Sequence, residues 1–498
     1  MQNIAFIDLA NETHRQIIVD RNPDEYLGHV TTVLLDDNRT MYATYPIGHG
    51  KGPIILKRSD DMGLTWSERL SVPDNWSTSL ECPTIFPVVD ADGVKRLILF
   101  SGLYPIRLSV SEDEGKNWTP LDPIGDFGGI TAMSCLGRLK NGNYMALFHD
   151  DGRFLKNTGE VKLPFKVYQT TSSDGGLTWS EASLVTEHPE AQLCEPGWVR
   201  SPDGKRIAVL LRENSREFNS FVIFSDDEGE TWTSPQEMSA TLTGDRHIAR
   251  YAPDGRLFVT FRDMAIGSPT MGDWVAWVGT FEDIINGTDG QYHIRLMENY
   301  DKKQEGKVIF GDCAYPGLEL LPDGTFVSTT YGHWTQGELP YIVSVRVSLD
   351  ELDDSNTKVS NTTDNLTEEA VRVTGSPEQQ NDYSTSISGV TDNLEDDTLL
   401  VKGQKEEQDL HKEVIKGKEI EDEDYSQLLK ENKCTLSEQE KQYKDDIEYL
   451  TNRGKGSRTS EGYTRLMIAV FLAKKIQVEL ALDDGENIED KCKGGFTA

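Results

Sequence analysis

The chain has 498 residues, and its 84 acidic against 50 basic side chains leave a formal net charge of −34. An acidic excess of that size argues against nucleic acid as a partner and for a soluble, self-repelling surface. The six cysteines (Cys82, Cys135, Cys194, Cys313, Cys434 and Cys492) show neither a CxxC pair nor metal-ligand spacing, so we expect free thiols and neither a metal nor another cofactor. The longest apolar run, Leu466–Ala473, is too short to cross a bilayer, and the opening MQNIAFIDLANE lacks the basic segment of a secretory leader. No membrane association and a cytoplasmic location are therefore the expectation, and no segment specifies an oligomeric state.

In chain order, a strand-like segment Ile4–Leu9 is followed by one unit repeated six times: apolar run, tight turn, apolar run. The turns are Asp37-Asn38, Asp92-Gly93, Asn141-Gly142, Asp203-Gly204, Asp254-Gly255 and Asp323-Gly324. After the first four units comes a hairpin of the form SxDxGx(T/N)W, at Ser59–Trp66, Ser111–Trp118, Ser172–Trp179 and Ser225–Trp232. In such a hairpin the Asp accepts from its own turn, the Gly takes a positive φ and the Trp packs back on the sheet, a structural device with no nucleophile beside a base. Six units, each completed to four antiparallel strands, predict an all-β fold: a six-bladed β-propeller over residues 1–350 with four Asp-box hairpins. Either Ile4–Leu9 or Tyr341–Leu349 is expected to close the ring. Residues 351–420 are acidic and rich in Ser, Thr and Asn, which predicts a disordered linker, and 421–498 read as a charged, partly helical tail of unassigned role.

The inner strands of a propeller converge on one cavity, so residues at one register meet there. Eight residues back from the turns stand His29, Met133, Glu195, Arg246 and Tyr315, and Glu81 once a three-residue insertion is allowed. A packed interior does not select ionisable groups, so this register predicts a ligand site. The ends of the following strands return to the same face and add His49, Arg107, His149, Asp150, Arg212, Arg262 and Asp263.

Two segments sharpen the reading: CEPGWVRSPDGKRIAVLLREN at 194–214 and CAYPGLELLPDGTF at 313–326. With the four hairpins they resemble the sialidase (neuraminidase) superfamily of BNR/Asp-box six-bladed propeller glycosidases over residues 1–350. The resemblance implies an exo-glycoside hydrolase of carbohydrate metabolism that needs no cofactor. It would remove a terminal acidic sugar, first of all sialic acid, from a glycan or glycoconjugate with retention. Tyr315, Glu195 and Arg212 match the family's catalytic Tyr, catalytic Glu and one substrate-binding Arg. A neutral Tyr suits a sialoside, whose anomeric carboxylate would repel a carboxylate nucleophile, and Glu195 would serve as its base.

The sequence also departs from that pattern. GHVTTVLL puts His29 where the family carries its first Arg, and Arg246 and Arg262 are candidates for the third by register alone. The loop YPIGHGKGPI holds no Asp, so His49, or else Asp150 or Asp263, stands in as acid/base. Glu81 and Arg107 complete the expected substrate-binding set. Two other functions could use the same cavity. A uronate polysaccharide lyase would employ His29, His49, His149, Tyr315 and Arg212; a non-catalytic propeller would bind a glycan or a protein.

Overall fold

The structure, a computed structural model, describes residues 4–305 and 308–354; the linker and tail expected beyond 354 lie outside the described residues. Six sheets form the blades of a propeller. Blade 1 comprises Thr31–Leu34, Met41–Pro46 and Ile54–Ser59, and blade 2 comprises Thr84–Val89, Lys95–Ser101, Arg107–Ser111 and Asp122–Pro123. Blade 3 comprises Ile130–Arg138, Tyr144–Asp150, Lys166–Ser172 and Ser183–Glu187, and blade 4 Leu193–Arg200, Ile207–Glu213, Phe221–Ser225 and Gln236–Glu237. Blade 5 is built on Gly244–Tyr251, Leu257–Asp263, Trp274–Gly279 and Tyr292–Met297, and blade 6 on Gly317–Leu320, Phe326–Gly332 and Tyr341–Val347. The inner strands neighbour one another in sequence order, and that of blade 6 returns to blade 1, so the ring is closed.

The blades are not uniform, which corrects the expectation of four strands each and of the closing segment. Blade 1 has three strands, and blade 5 gains a fifth, Ala5–Asp8, which runs parallel to Tyr292–Met297. The fourth strand of blade 6 is Gln16–Asp20, antiparallel to Tyr341–Val347. Closure therefore falls to QIIVD and not to Ile4–Leu9. Its Ile17-Ile18-Val19 run suits an edge strand, with Val19 buried and Ile18 exposed. Asp353 accepts from Tyr292 and pairs with Arg256 at 2.7 Å, so the propeller's contacts reach past residue 350.

Packing explains why the middle strands read as unbroken apolar runs such as Ile207–Leu211. Both faces of each sheet are covered, because every large core cluster joins neighbouring blades. Val33, Leu56, Ile85 and Leu99 join blades 1 and 2, and Phe100, Leu108, Ala146 and Phe148 join 2 and 3. Leu147, Leu193 and Val209 join blades 3 and 4, and Leu210, Val222, Val259 and Trp277 join 4 and 5. Cys82, Cys135, Cys194 and Cys313 are buried free thiols within this packing.

The four SxDxGx(T/N)W turns share one hydrogen-bond pattern. In the Ser225–Trp232 turn, Asp227 accepts from Ser225 (2.8 Å), the Thr231 N–H (2.9 Å) and the Thr231 hydroxyl (2.6 Å), while the Gly229 N–H donates to Ser225 (2.8 Å). Asp61, Asp113 and Asp174 repeat it. Each turn leaves its blade at the rim opposite the candidate site: Ser225 pairs with Ile207 at one end of a strand whose other end carries Arg212.

Candidate active site

The site begins with irregularities in the inner strands. The ladder slips by one residue between Cys194 and Gly197 in blade 4 and between Asp245 and Ile248 in blade 5. At these bulges Glu195 (φ +49°) and Arg246 (φ +58°) adopt the left-handed region, as do Thr131 and Met133 in blade 3 and Ala314 before blade 6. A non-glycine residue there costs about 1–3 kcal/mol and persists only where its surroundings hold it. For Glu195 the holding contact is its N–H to His149 Nδ1 at 3.4 Å. Burial pushes His149 down to about 4, so that nitrogen stays an acceptor at neutral pH. The bulges re-aim side chains, which is how Asp245 and Arg246, adjacent in sequence, both serve the cavity.

Three side chains meet at its centre. Tyr315 donates its hydroxyl proton to Glu195 Oε1, and Arg212 Nη1 donates to both Glu195 Oε1 (2.6 Å) and the Tyr315 oxygen (2.9 Å). The Arg262 guanidinium lies 5.7 Å from the centroid of the Tyr315 ring. Burial pushes Tyr315 well above the ordinary phenol value, the charge of Glu195 adds to this, and Arg212 and Arg262 oppose it. Tyr315 is therefore a neutral phenol whose proton already lies toward a carboxylate. Such a phenol can act as a nucleophile only as its proton passes to Glu195, and the two guanidinium groups then neutralise the charge on its oxygen.

The arginines are differently employed. Asp245, fully buried, receives Arg216 Nη1 (2.6 Å) and Nη2 (2.8 Å) and Arg262 Nε (2.9 Å) and Nη2 (2.5 Å), and lies 3.1 Å from Arg212 Nε. Burial would raise the pKa of Asp245, but the three guanidinium charges outweigh it and hold the group well below the usual carboxylate range. Arg212 gives its remaining edge to Asn214 (2.7 Å), and Arg262 Nη1 donates to the Gly311 carbonyl (2.5 Å). Neither fork is open for a bidentate clamp on a ligand. Arg246 is 3 % exposed, and its Nη1 has no hydrogen-bond partner among the described residues; Arg212 Nε, 3.1 Å from Asp245, makes no hydrogen bond either. Glu195 Oε2 is likewise buried and unpartnered.

Glu81 accepts from the Ala132 N–H at 3.0 Å, in a space that exists because residue 102 is glycine; a Cβ there would stand 2.4 Å from the carboxylate. Burial raises Glu81 to about 7, with Glu195 adding and Arg246 opposing. His29 is held far below its ordinary value, first by burial and then by His49, so it is a neutral ring and not a stand-in for a cationic Arg. It stands edge-on to Tyr315 (4.3 Å between centroids) and to His49 (4.7 Å).

Other expected residues lie apart from this cluster. Asp150 spends its oxygens on the N–H groups of Gly152 (2.8 Å) and Phe154 (3.0 Å), and Asp263 accepts from Ala265 (2.9 Å) and Thr270 (2.5 Å); both build loops. Arg107 is tied to Thr78 at 2.7 and 2.8 Å. Met133 is buried in the core between blades 2 and 3. His49, by contrast, stands exposed beside Tyr26 and Asp312 and edge-on to His29. Register counting passed over Asp245, Tyr26 and Asp312. The signal that could have found two of them is adjacency, since Asp245 precedes Arg246 and Asp312 lies just upstream of Tyr315.

With this geometry in view, comparison with known proteins adds the following. Residues 106–263 match the BNR repeat-like domain. A sialidase of Clostridium perfringens is 23% identical over 232 residues, covering 44% of this chain and 49% of that one. A sialidase of Paraclostridium sordellii is 27% identical over 131 residues, 23% of this chain and 32% of that one. The chain thus spans about half the length of the first of these curated relatives and about a third of the second. A Dyadobacter fermentans protein described as of unknown function shares the fold, with a TM-score of 0.52 at 16% identity over 67% of this chain and 97% of that one.

Proposed function

We propose that the chain is a glycoside hydrolase that removes a terminal acidic sugar from a glycan with retention, sialic acid being the first candidate. Sequence similarity to sialidases supports the hydrolase class. The mechanism is carried by one observation, the hydrogen bond from Tyr315 to Glu195 with Arg212 bridging both oxygens. In the first displacement the Tyr315 oxygen bonds to the anomeric carbon, its proton passes to Glu195, and the bond to the leaving oxygen breaks. Water then displaces Tyr315 and Glu195 returns its proton to the Tyr315 oxygen; the group that protonates the leaving oxygen in the first step takes the proton that the water sheds in the second. Arg246, the buried guanidinium with an unpartnered nitrogen, would meet an anionic group of the sugar.

The test is turnover of a fluorogenic α-sialoside by the full chain beside Tyr315→Phe. Removal of a nucleophile should lower kcat by about 10³-fold or more, with the melting temperature unchanged. A Tyr315→Phe protein that turns over like the parent would sink the mechanism. A product absorbing in the near ultraviolet from a uronate glycan would mark elimination in place of hydrolysis.

A further inference from the structure

Asp312, on the segment leading into Tyr315, is the meeting point of four side chains. Tyr26 donates to Oδ2 at 2.6 Å and Tyr331 to Oδ1 at 2.9 Å. His49 Nδ1 lies 3.3 Å from Oδ1, and His333 Nε2 lies 3.5 Å from Oδ2. Burial disfavours the charge on Asp312, yet the hydrogen bonds of His333, His49 and Tyr26 outweigh it and keep the group ionised.

The proton count fixes a tautomer. An ionised carboxylate only accepts, so each phenol spends its one proton on Asp312. The Tyr26 oxygen also lies 2.6 Å from His49 Nδ1, and having given its proton to Asp312 it can only accept there. His49 therefore carries a proton on Nδ1, directed at Tyr26 and Asp312, and Nε2 becomes the nitrogen that exchanges protons. The imidazole side chain is 64% exposed and is separated from Tyr315 by the single ring of His29.

We infer that Asp312, together with Tyr26, is a positioning residue that holds His49 as the proton donor to the leaving group. The inference rests on the hydrolase reading above. In the first displacement His49, in the cationic form that carries a second proton on Nε2, gives that proton to the leaving oxygen as its bond to the anomeric carbon breaks and the Tyr315 bond forms. In the second, Nε2 takes a proton from the water whose oxygen replaces Tyr315. His49 ends as it began.

A lost proton donor hurts a poor leaving group more than a good one, and a merely structural change does not discriminate between them. Asp312→Asn in the full chain should lower kcat/KM for an alkyl α-sialoside by about 10²-fold, and for an activated aryl α-sialoside by less than about 10-fold. His49→Gln should reproduce that split, and the double variant should add nothing further. Equal losses on both substrates, or the same split in Glu81→Gln and not in His49→Gln, would overturn the inference and leave Tyr315 and Glu195 in place. One readout needs no substrate: nitrogen NMR of the histidine-labelled chain should find His49 protonated on Nδ1, and Asp312→Asn should abolish that preference. A neutral His49 protonated on Nε2 in the parent protein would overturn the inference even if no sugar is turned over.

Discussion

Asp245, itself fully buried, balances three largely enclosed guanidinium groups, and its removal leaves Arg216 and Arg262 without this counter-charge while Arg212 keeps Glu195. Asp245→Asn should destabilise the propeller by about 3–5 kcal/mol, read as a fall in midpoint on denaturant unfolding. Because the folded-state pKa is depressed, this stabilisation is present above the ordinary carboxylate value and is lost only as the pH falls through the depressed one. Mild acid should therefore leave the gap between the parent and variant midpoints nearly unchanged. At this scale the sequence was legible where one residue per blade suffices: counting back from the turns reached Tyr315 and Glu195, which share a hydrogen bond. It missed Asp245, since strict alternation assigns Asp245 and Arg246 to opposite faces and does not foresee the bulge between Asp245 and Ile248. The employment of Arg212 and Arg262 by Asp245 was also hidden, because it depends on side-chain partners from other strands.

Each hairpin turn packs against the blade before its own. A Cβ on Gly115 would meet Tyr42 of blade 1, on Gly176 Ile98 of blade 2, and on Gly229 Met145 of blade 3. The turns thus join blades at the rim away from the site. Asp227→Ala should lower the melting temperature by a few degrees and leave kcat and KM of the folded protein intact; a large loss of kcat at an unchanged melting temperature would contradict this. Hydrogen bonds, foremost from Thr231, hold Asp227 at about 2. Its contribution is then complete at neutral pH and disappears as the pH falls from the ordinary carboxylate range toward that value, so parent and variant should converge in strong acid. Six repeated units were readable because each carries the same turn chemistry. Strand number per blade was not, because short edge strands such as Gln236–Glu237 are set by pairing with a neighbour and have no periodicity of their own.

Across the propeller the candidate site draws Tyr315 from the segment entering blade 6, Glu195 and Arg212 from blade 4, and Arg246 and Arg262 from blade 5. No short-range contact within one blade can set the spacing of that group. Shortening the chain to begin at Arg21 removes Gln16–Asp20 from blade 6 and Ala5–Asp8 from blade 5. The melting temperature should fall and any Tyr315-dependent turnover should fall with it; unchanged values for both would mean that the clasp is dispensable. Closure by Gln16–Asp20 was not legible in the sequence, since Ile4–Leu9 and Gln16–Asp20 are both short β-competent runs that only tertiary pairing tells apart. The clasp also imposes an arithmetic condition. In a closed ring the angles between successive blades must sum to one full turn, so no pair of blades can open unless the others close by the same total. Motion that would separate Tyr315 from Glu195 is thereby charged to all six interfaces at once, which makes the rigidity of the candidate site a property of the circle.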